Sequence, residues 1–353
     1  MSDKLTTSPL PPATDAGTIA AIGERALIAR IRARLAAPPD WLVVGPGDDA
    51  AVVKRERNAF DVITTDVLVE GVHFDRRFVP PQAIGHRALA VNLSDLAAMG
   101  AEPRLAVLSL VLPPALPLAD FDGIMAGLLD LAARHKVVLA GGNIARSPGP
   151  LVLDLTAFGS VRPRRLLTRR GARPGDFVFV SGSLGAARAG LRMCQSTPDS
   201  SGTDSASVCS RYLWPEPRVR LGLLLGRQQA ATACMDLSDG LSDGVQQIAE
   251  ASQVGIEIDA DALPIDADTR AWFQAHGEDP AIEAVAGGDD YELLFTVAPR
   301  RQGRLRAVQR GARGLALTRI GTVTREPGIV LRRDSTREPL PEGFHHFGGI
   351  ADC

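Results

Sequence analysis

Residues 45–53 read GPGDDAAVV. The first six letters fit the glycine pattern GxGxxG/A of a dinucleotide-binding turn. Such a turn follows a strand and opens a helix whose N–H groups face a pyrophosphate. Here the next run, AAVV, is β-like rather than helical, and Asp48 and Asp49 would repel a bare phosphate. The pattern therefore predicts no dinucleotide fold. It predicts a mixed α/β protein in which acidic turns meet a phosphate through a metal.

Working outward, β-like runs stand at 41–44, 50–53 and 60–65, between turn residues. Upstream, Ile19, Ile22, Leu27, Ile31 and Leu35 recur at helical spacing until Pro38-Pro39 stops the run. Downstream come a long helix over about 81–99, a strand at 104–112, a helix over about 120–135, and strands at 137–140 and 151–158. The Pro/Arg/Gly-rich stretch 162–176 reads as a domain boundary. Beyond it the α/β alternation resumes: FVFVSG, a helix after Gly185, a strand ending at 234–236, a helix at 241–251, then strands at 255–259, 291–297 and 315–323. The expected organisation is a polar tail at 1–16, an N-terminal domain at 17–162 and a C-terminal domain at 163–353. The serine-rich segment 194–210 is expected to be a flexible surface insertion.

Composition removes several classes of function. With 353 residues, 45% hydrophobic and 23% charged, the chain can bury ample core without staples. A formal net charge of -2 lacks the basic excess of a nucleic-acid binder. Four cysteines, none in a CxxC pair, form neither a zinc knuckle nor a disulfide framework, which fits a reducing compartment. No apolar run approaches the roughly 20 residues that span a bilayer, and residues 1–17 have no signal-peptide core. A cytoplasmic protein, off the membrane, is expected. Lysine stands only at 4, 54 and 136, so there is no Walker A lysine. Neither HRD, DFG nor GxSxG is present.

The aspartates carry the chemistry. Asp48 and Asp49 lie between β-like runs, Asp66 follows Thr64 and Thr65, and Asp95 sits in an apolar helix beside Asn92. Asp236, Asp239 and Asp243 mark a strand-to-helix turn, and Asp289 and Asp290 precede a strand. A solvated acidic face would be strewn with Glu and Lys; these are short carboxylates among Gly, Ser, Thr and apolar residues. Brought together half-buried, they repel one another unless protonated or neutralised by a cation. Hard oxygen ligands of this kind suit Mg²⁺, which binds a few carboxylates, waters and substrate phosphates. Taken singly, Asp48 could shape a turn, Asp239 could cap a helix, and Arg169 and Arg170 could be a solvated run. His73, His345, His346 and Phe344 support no claim alone.

GPGDDAAVV, TTDVLVEGVHF (64–74), NLSDLAAMGAEP (92–103), MDLSDGL (235–241) and GGDDYELLF (287–295), in this order, resemble the thiamine-monophosphate kinase family, within the superfamily of aminoimidazole-ribonucleotide synthetase. The resemblance runs from about residue 23 to 348. It implies an N-terminal α/β domain whose sheet pairs with a second copy in a homodimer, and a C-terminal α/β domain that completes an active-site cleft. It implies transfer of phosphate from ATP to thiamine monophosphate, giving ADP and thiamine diphosphate. Mg²⁺ would be held by Asp49, Asp66, Asp95, Asp236 and Asp239, helped by Thr64, Thr65 and Asn143. Gly142, Asn143, Arg169 and Ser238 would meet ATP; His73, Asp289 and Phe344 would hold thiamine monophosphate. The family often has GGDT where this chain has GGNI, so Asn143 replaces a carboxylate. It commonly has GGEDYEL, so Asp289 is a shorter acid. Two other readings remain open on sequence: a hydrogenase-maturation relative using the terminal Cys353, and a nucleotide-binding module without catalysis.

Overall fold

The computed structural model describes residues 17–46, 50–196, 203–334, 336–341 and 343. In the first half, α1 (Ile19–Arg32) is broken at Gly23, whose φ of +75° departs from the helix. A small antiparallel pair, β1 (Leu42–Val44) and β2 (Val52–Val53), follows. Then come β3 (Phe60–Val69), α2 (Pro81–Ala98), β4 (Glu102–Leu112), α3 (Leu118–His135), β5 (Val138–Arg146) and β6 (Val152–Val161). The four long strands form a sheet in the order β3-β6-β4-β5, antiparallel except for the β4/β5 pair.

Two strands are longer than their sequence suggested. β3 does not stop at Thr65 but carries Asp66 in its interior. β5 runs through Gly141-Gly142-Asn143, where the glycines looked like a stop. At Gly142 the neighbouring strand comes so close that a Cβ would lie 2.1 Å from the Leu108 carbonyl oxygen. The glycine extends the strand here instead of ending it.

Helix α2 holds the molecule together. Leu89, Leu93 and Leu96 are wholly buried, and so are Asn92 and Ser94, because the helix is covered on every side. One side packs on β3 and β6, others on α3 and on a helix of the second half. Burial of each leucine stabilises the fold by about 1.5–3 kcal/mol. A helix covered all round belongs to the core, and each polar side chain buried in it needs a partner.

The second half contains β7 (Phe177–Ser181), α4 (Ala186–Ser196), α5 (Thr203–Leu213), α6 (Val219–Gln228), β8 (Ala233–Asp236), α7 (Leu241–Ser252) and β9 (Gly255–Asp259). It continues with α8 (Ala267–Ala275), α9 (Pro280–Ala286), β10 (Leu293–Val297), α10 (Gln302–Gly311), β11 (Leu317–Thr324), β12 (Ile329–Arg333) and β13 (Thr336–Pro339). Its seven strands lie in the order β13-β12-β9-β11-β7-β10-β8, with only β12/β9 parallel. Helix α6 touches α2 at Gly222, where a Cβ would stand 2.0 Å from the Ala97 carbonyl oxygen.

The serine-rich segment is not wholly a flexible insertion. Helices α4 and α5 extend into it from both sides, and Cys194 and Val208 are buried. Residues 197–202 between them lie outside the described residues. Polar composition hid the packed side of each helix. Among the described residues no helix is long and apolar enough to cross a membrane.

Candidate active site

Four predicted acids converge between the two halves. Asp66 enters from the interior of β3, Asp95 from α2, Asp236 from the last position of β8, and Asp239 from the turn after it. Ser94, beside Asp95, donates its hydroxyl to Asp236 Oδ2 at 2.7 Å. Thr64 Oγ1 donates to Asp95. Burial first, then the charge of Asp95 and a hydrogen bond with it, push the Asp66 carboxyl up to about 7. Burial and then Asp95 likewise push Asp236 up to about 7. Burial raises Asp95 as well, against the opposing pull of Thr64 and of the Arg169 guanidinium. These shifts show like charges crowded in a place with little water. Asp239 is not a helix cap, since the N-cap of α7 is Gly240.

Asp49 would be a fifth member, but it lies outside the described residues, as do Asp48, Phe344, His345, His346 and Cys353. Among the described residues, no three His, Cys, Asp or Glu side chains form a ready-made ligand cage. The donor chemistry nonetheless fits Mg²⁺, which is usually held by one or two carboxylates together with substrate phosphates and water. Crowded buried carboxylates raised toward neutrality are a site that a cation would relieve.

The predicted ligands do not all join this group. Side chains alternate along a strand, so Thr64 and Asp66 face α2 while Thr65 faces the opposite side. There Thr65 Oγ1 meets Asp154 Oδ1 at 3.1 Å and Thr156 Oγ1 at 3.0 Å. In register, Ser109 of β4 pairs with both Asp154 and Asn143. Asn143 therefore belongs with Thr65 and Asp154 on the outer face. The structure thus places the predicted ligands on two faces of the sheet, near enough for the Asp154 charge to act on Asp66. Asp154 was not foreseen; its position opposite Val67 depends on the strand pairing, which no local motif reveals.

Gly142 and Asn143 line a cleft of about 440 Å³, together with Ile28 and Arg32 of α1 and Pro46. None of Asp66, Asp95 or Asp236 lines it. Arg169 stands instead on the carboxylate side, where it acts on Asp95 and donates to Gln247 of α7. Ser238 Oγ donates to Asp239 Oδ2 at 3.3 Å. The basic stretch around Arg169 is docked on the second half: Cys234 N–H donates to the Thr168 carbonyl at 2.9 Å.

Antiparallel pairing of β8 with β10 places Leu293 opposite Asp236 and so brings two motifs together. Asp289 N–H donates to the Ser238 carbonyl at 2.7 Å, and Tyr291 N–H to the Leu237 carbonyl at 2.9 Å. Asp289 and Tyr291 both have positive φ, +66° and +50°, a backbone that side-chain-bearing residues seldom adopt. His73 lies in the turn after β3, where its Nδ1 accepts the Val69 N–H at 3.1 Å. The neutral ring therefore carries its proton on Nε2. The next two acids of GGDDYELLF are structural. Asp290 accepts the Gly185 N–H at 2.8 Å at the start of α4, and Glu292, wholly buried, is paired with Arg218 and Arg211.

This fold of two large sheets with acids gathered between them defines an AIR synthase related protein. The model of that family's N-terminal domain matches residues 47–161, and that of its C-terminal domain matches 173–334. Within this class the chain belongs to the thiamine-monophosphate kinases, which are phosphotransferases. It is 38% identical to "Thiamine-monophosphate kinase" of Escherichia coli (strain K12), over 93% of this chain and 99% of that one. The crystal structure of thiamine-monophosphate kinase from Stenotrophomonas maltophilia K279a superposes with a TM-score of 0.79 at 39% identity, covering 88% of this chain and 96% of that one. A structure described as "AaThiL complexed with AMPPCP and TMP" superposes with a TM-score of 0.74 at 33% identity, covering 93% and 98%.

Proposed function

We propose that this chain transfers the terminal phosphoryl group of ATP to thiamine monophosphate, giving ADP and thiamine diphosphate. One observation carries the reading: Asp66, Asp95, Asp236 and Asp239, with Arg169, gather from both halves beside the turn that presents Asp289. The similarity to a kinase held with an ATP analogue and TMP supports it.

The acceptor is a phosphate oxygen. A phosphate monoester has a second pKa of about 6, so the nucleophile is ionised at neutral pH and needs no protein base. The difficulty is the approach of two anions in line. Mg²⁺ bound by the carboxylates would supply charge neutralisation between them and at the leaving ADP. Asp66, Asp95, Asp236 and Asp239 would hold it, with Asp49 from the GPGDD turn. Arg169 adds a fixed positive charge beside Asp95, and Ser238 a hydroxyl for the phosphates. The cleft bounded by Gly142 and Asn143 takes the rest of the nucleotide, and Thr65 and Asn143 offer further oxygens on that face. His73 and Asp289 hold thiamine monophosphate, with the Phe344 ring stacked on it.

In this reading residues 17–162 carry nucleotide and pair with a second copy, while 163–353 complete the cleft. The outer face of β3 supports the pairing: Ile63 and Val67 are 61% and 45% exposed, apolar side chains on an edge strand that call for cover. Transfer is direct. Rapid mixing with ATP labelled in its terminal phosphate should place the label in thiamine diphosphate with none on protein. A labelled protein that forms and decays at the turnover rate would refute direct transfer. Cys353→Ser should leave the rate unchanged.

A further inference from the structure

Beneath the pair His73 and Asp289 lies a group of side chains to which the proposed reaction has given no part. Arg87, in the first half of α2, is 1% exposed. Its Nη2 donates to Asp289 Oδ2 at 3.1 Å and its Nη1 to the Tyr212 carbonyl. The guanidinium carbon stands 4.5 Å from the centre of the Tyr212 ring, a cation–π distance. Tyr212 in turn reaches the His73 carbonyl through its hydroxyl, at 3.5 Å. From the other side, Tyr291 donates its hydroxyl to Asp289 Oδ1 at 2.9 Å. Both oxygens of Asp289 are thus fixed from below, while its side chain remains 32% exposed above.

A buried guanidinium is a costly thing to keep. Burial alone would lower its pKa, but the Asp289 carboxylate, aided by the two tyrosines, outweighs this and leaves the group charged and its pKa raised. Buried ion pairs often stabilise a fold no better than apolar side chains of the same volume, so their presence points to position rather than stability. Here the position is specific. Asp289 has a left-handed backbone and would otherwise have free choice of rotamer. Arg87 belongs to the same helix as Ser94 and Asp95, about two turns away, so a rigid element ties the orientation of Asp289 to the carboxylate group.

We infer that Arg87 is a positioning residue for the thiamine-phosphate subsite: through Asp289 directly, and through Tyr212 to His73, it sets the two substrate-facing groups against the α2 carboxylate. The inference rests on the reading that Asp289 contacts the substrate. It extends that reading to a cation buried one layer below, and explains how the shorter acid can serve, since Asp289 is held in place from behind by two donors.

The test uses the full chain and steady-state kinetics with each substrate varied in turn. Arg87→Met should raise KM for thiamine monophosphate about tenfold or more, the loss expected for a hydrogen bond to a charged group. KM for ATP should stay within about twofold, a split that general loosening would not produce. Arg87→Lys, which restores the charge without the planar fork, should recover part of the loss. Arg87→Gln, which keeps a donor but loses the charge and the fork, decides the matter if Arg87→Met does not fold, and should raise the same KM; Tyr291→Phe, which removes the other donor to Asp289, should raise it as well. Asp289→Asn separates the two levels of the argument. If it leaves KM for thiamine monophosphate unchanged, the reading of Asp289 is wrong and the inference falls with it. If it raises that KM while folded Arg87→Met and Tyr291→Phe do not, Asp289 binds substrate but Arg87 does not position it.

Discussion

At the scale of single residues, the acids that converge are those whose neighbours were wrong for a surface. Asp95 in the middle of LAVNLSDLAAMG has apolar residues on nearly every side, and a carboxylate there needs a partner. That partner set is Asp66, Asp236 and Arg169. Replacing Asp236 with Asn should lower kcat by about a hundredfold or more, the usual scale for loss of a group that stabilises transition-state charge. It should also raise the melting temperature of the metal-free protein, because one of several crowded charges is gone; a lower melting temperature would contradict the crowding. What local sequence hid is which face each ligand takes. Thr64 and Thr65 are adjacent letters, yet they belong to different groups because the strand continues through Asp66. Arg87 was hidden for another reason. HRALAV carries no local signal of a role for it, and its partner is a carboxylate 202 residues downstream.

At the scale of elements, periodicity located most helices and strands but misread some of their ends. β5 was expected to close before Gly141, yet Gly142 allows the closest approach to β4 and the strand runs on to Arg146. Gly142→Ala should therefore destabilise the protein by about 1–3 kcal/mol, as overpacking does, read from chemical denaturation. An unchanged midpoint would mean that β4 and β5 do not meet as described. The resemblance also assigns this glycine to ATP, so in the proposed function both demands fall on one position. Helix α5 marks the opposite error: serine and threonine suggested a loop, but the buried Val208 and Tyr212 on one side are enough to dock it.

At the scale of the whole molecule, little of the arrangement was legible, because strand order and interdomain contact depend on residues far apart in sequence. Ser94 and Asp236 stand 142 positions apart, and nothing in the sequence signals that the two will share a hydrogen bond. One interdomain contact gives a pH dependence. His86 of α2 is buried; its Nε2 faces the Pro215 carbonyl at 2.8 Å, and Trp214 packs edge-on against it. Burial lowers its pKa below 6.5, so the folded state binds this proton less readily than the unfolded chain. Its contribution is complete above pH 6.5 and is lost as the pH falls below it. His86→Gln should flatten the fall in melting temperature between pH 7 and 5.5 relative to the parent chain; identical slopes would exclude His86 as its source. The exposed apolar side chains on β3 give a prediction about assembly. Ile63→Glu should shift a dimer to monomer in sedimentation, and a parent chain already monomeric at micromolar concentration would contradict the proposed pairing. The reaction itself is tested most directly by ADP release with Mg²⁺-ATP and thiamine monophosphate, with thiamine and an aminoimidazole precursor as controls. The account predicts ADP with thiamine monophosphate alone, matched one for one by thiamine diphosphate; measurable ATP binding with no turnover on thiamine monophosphate would contradict it.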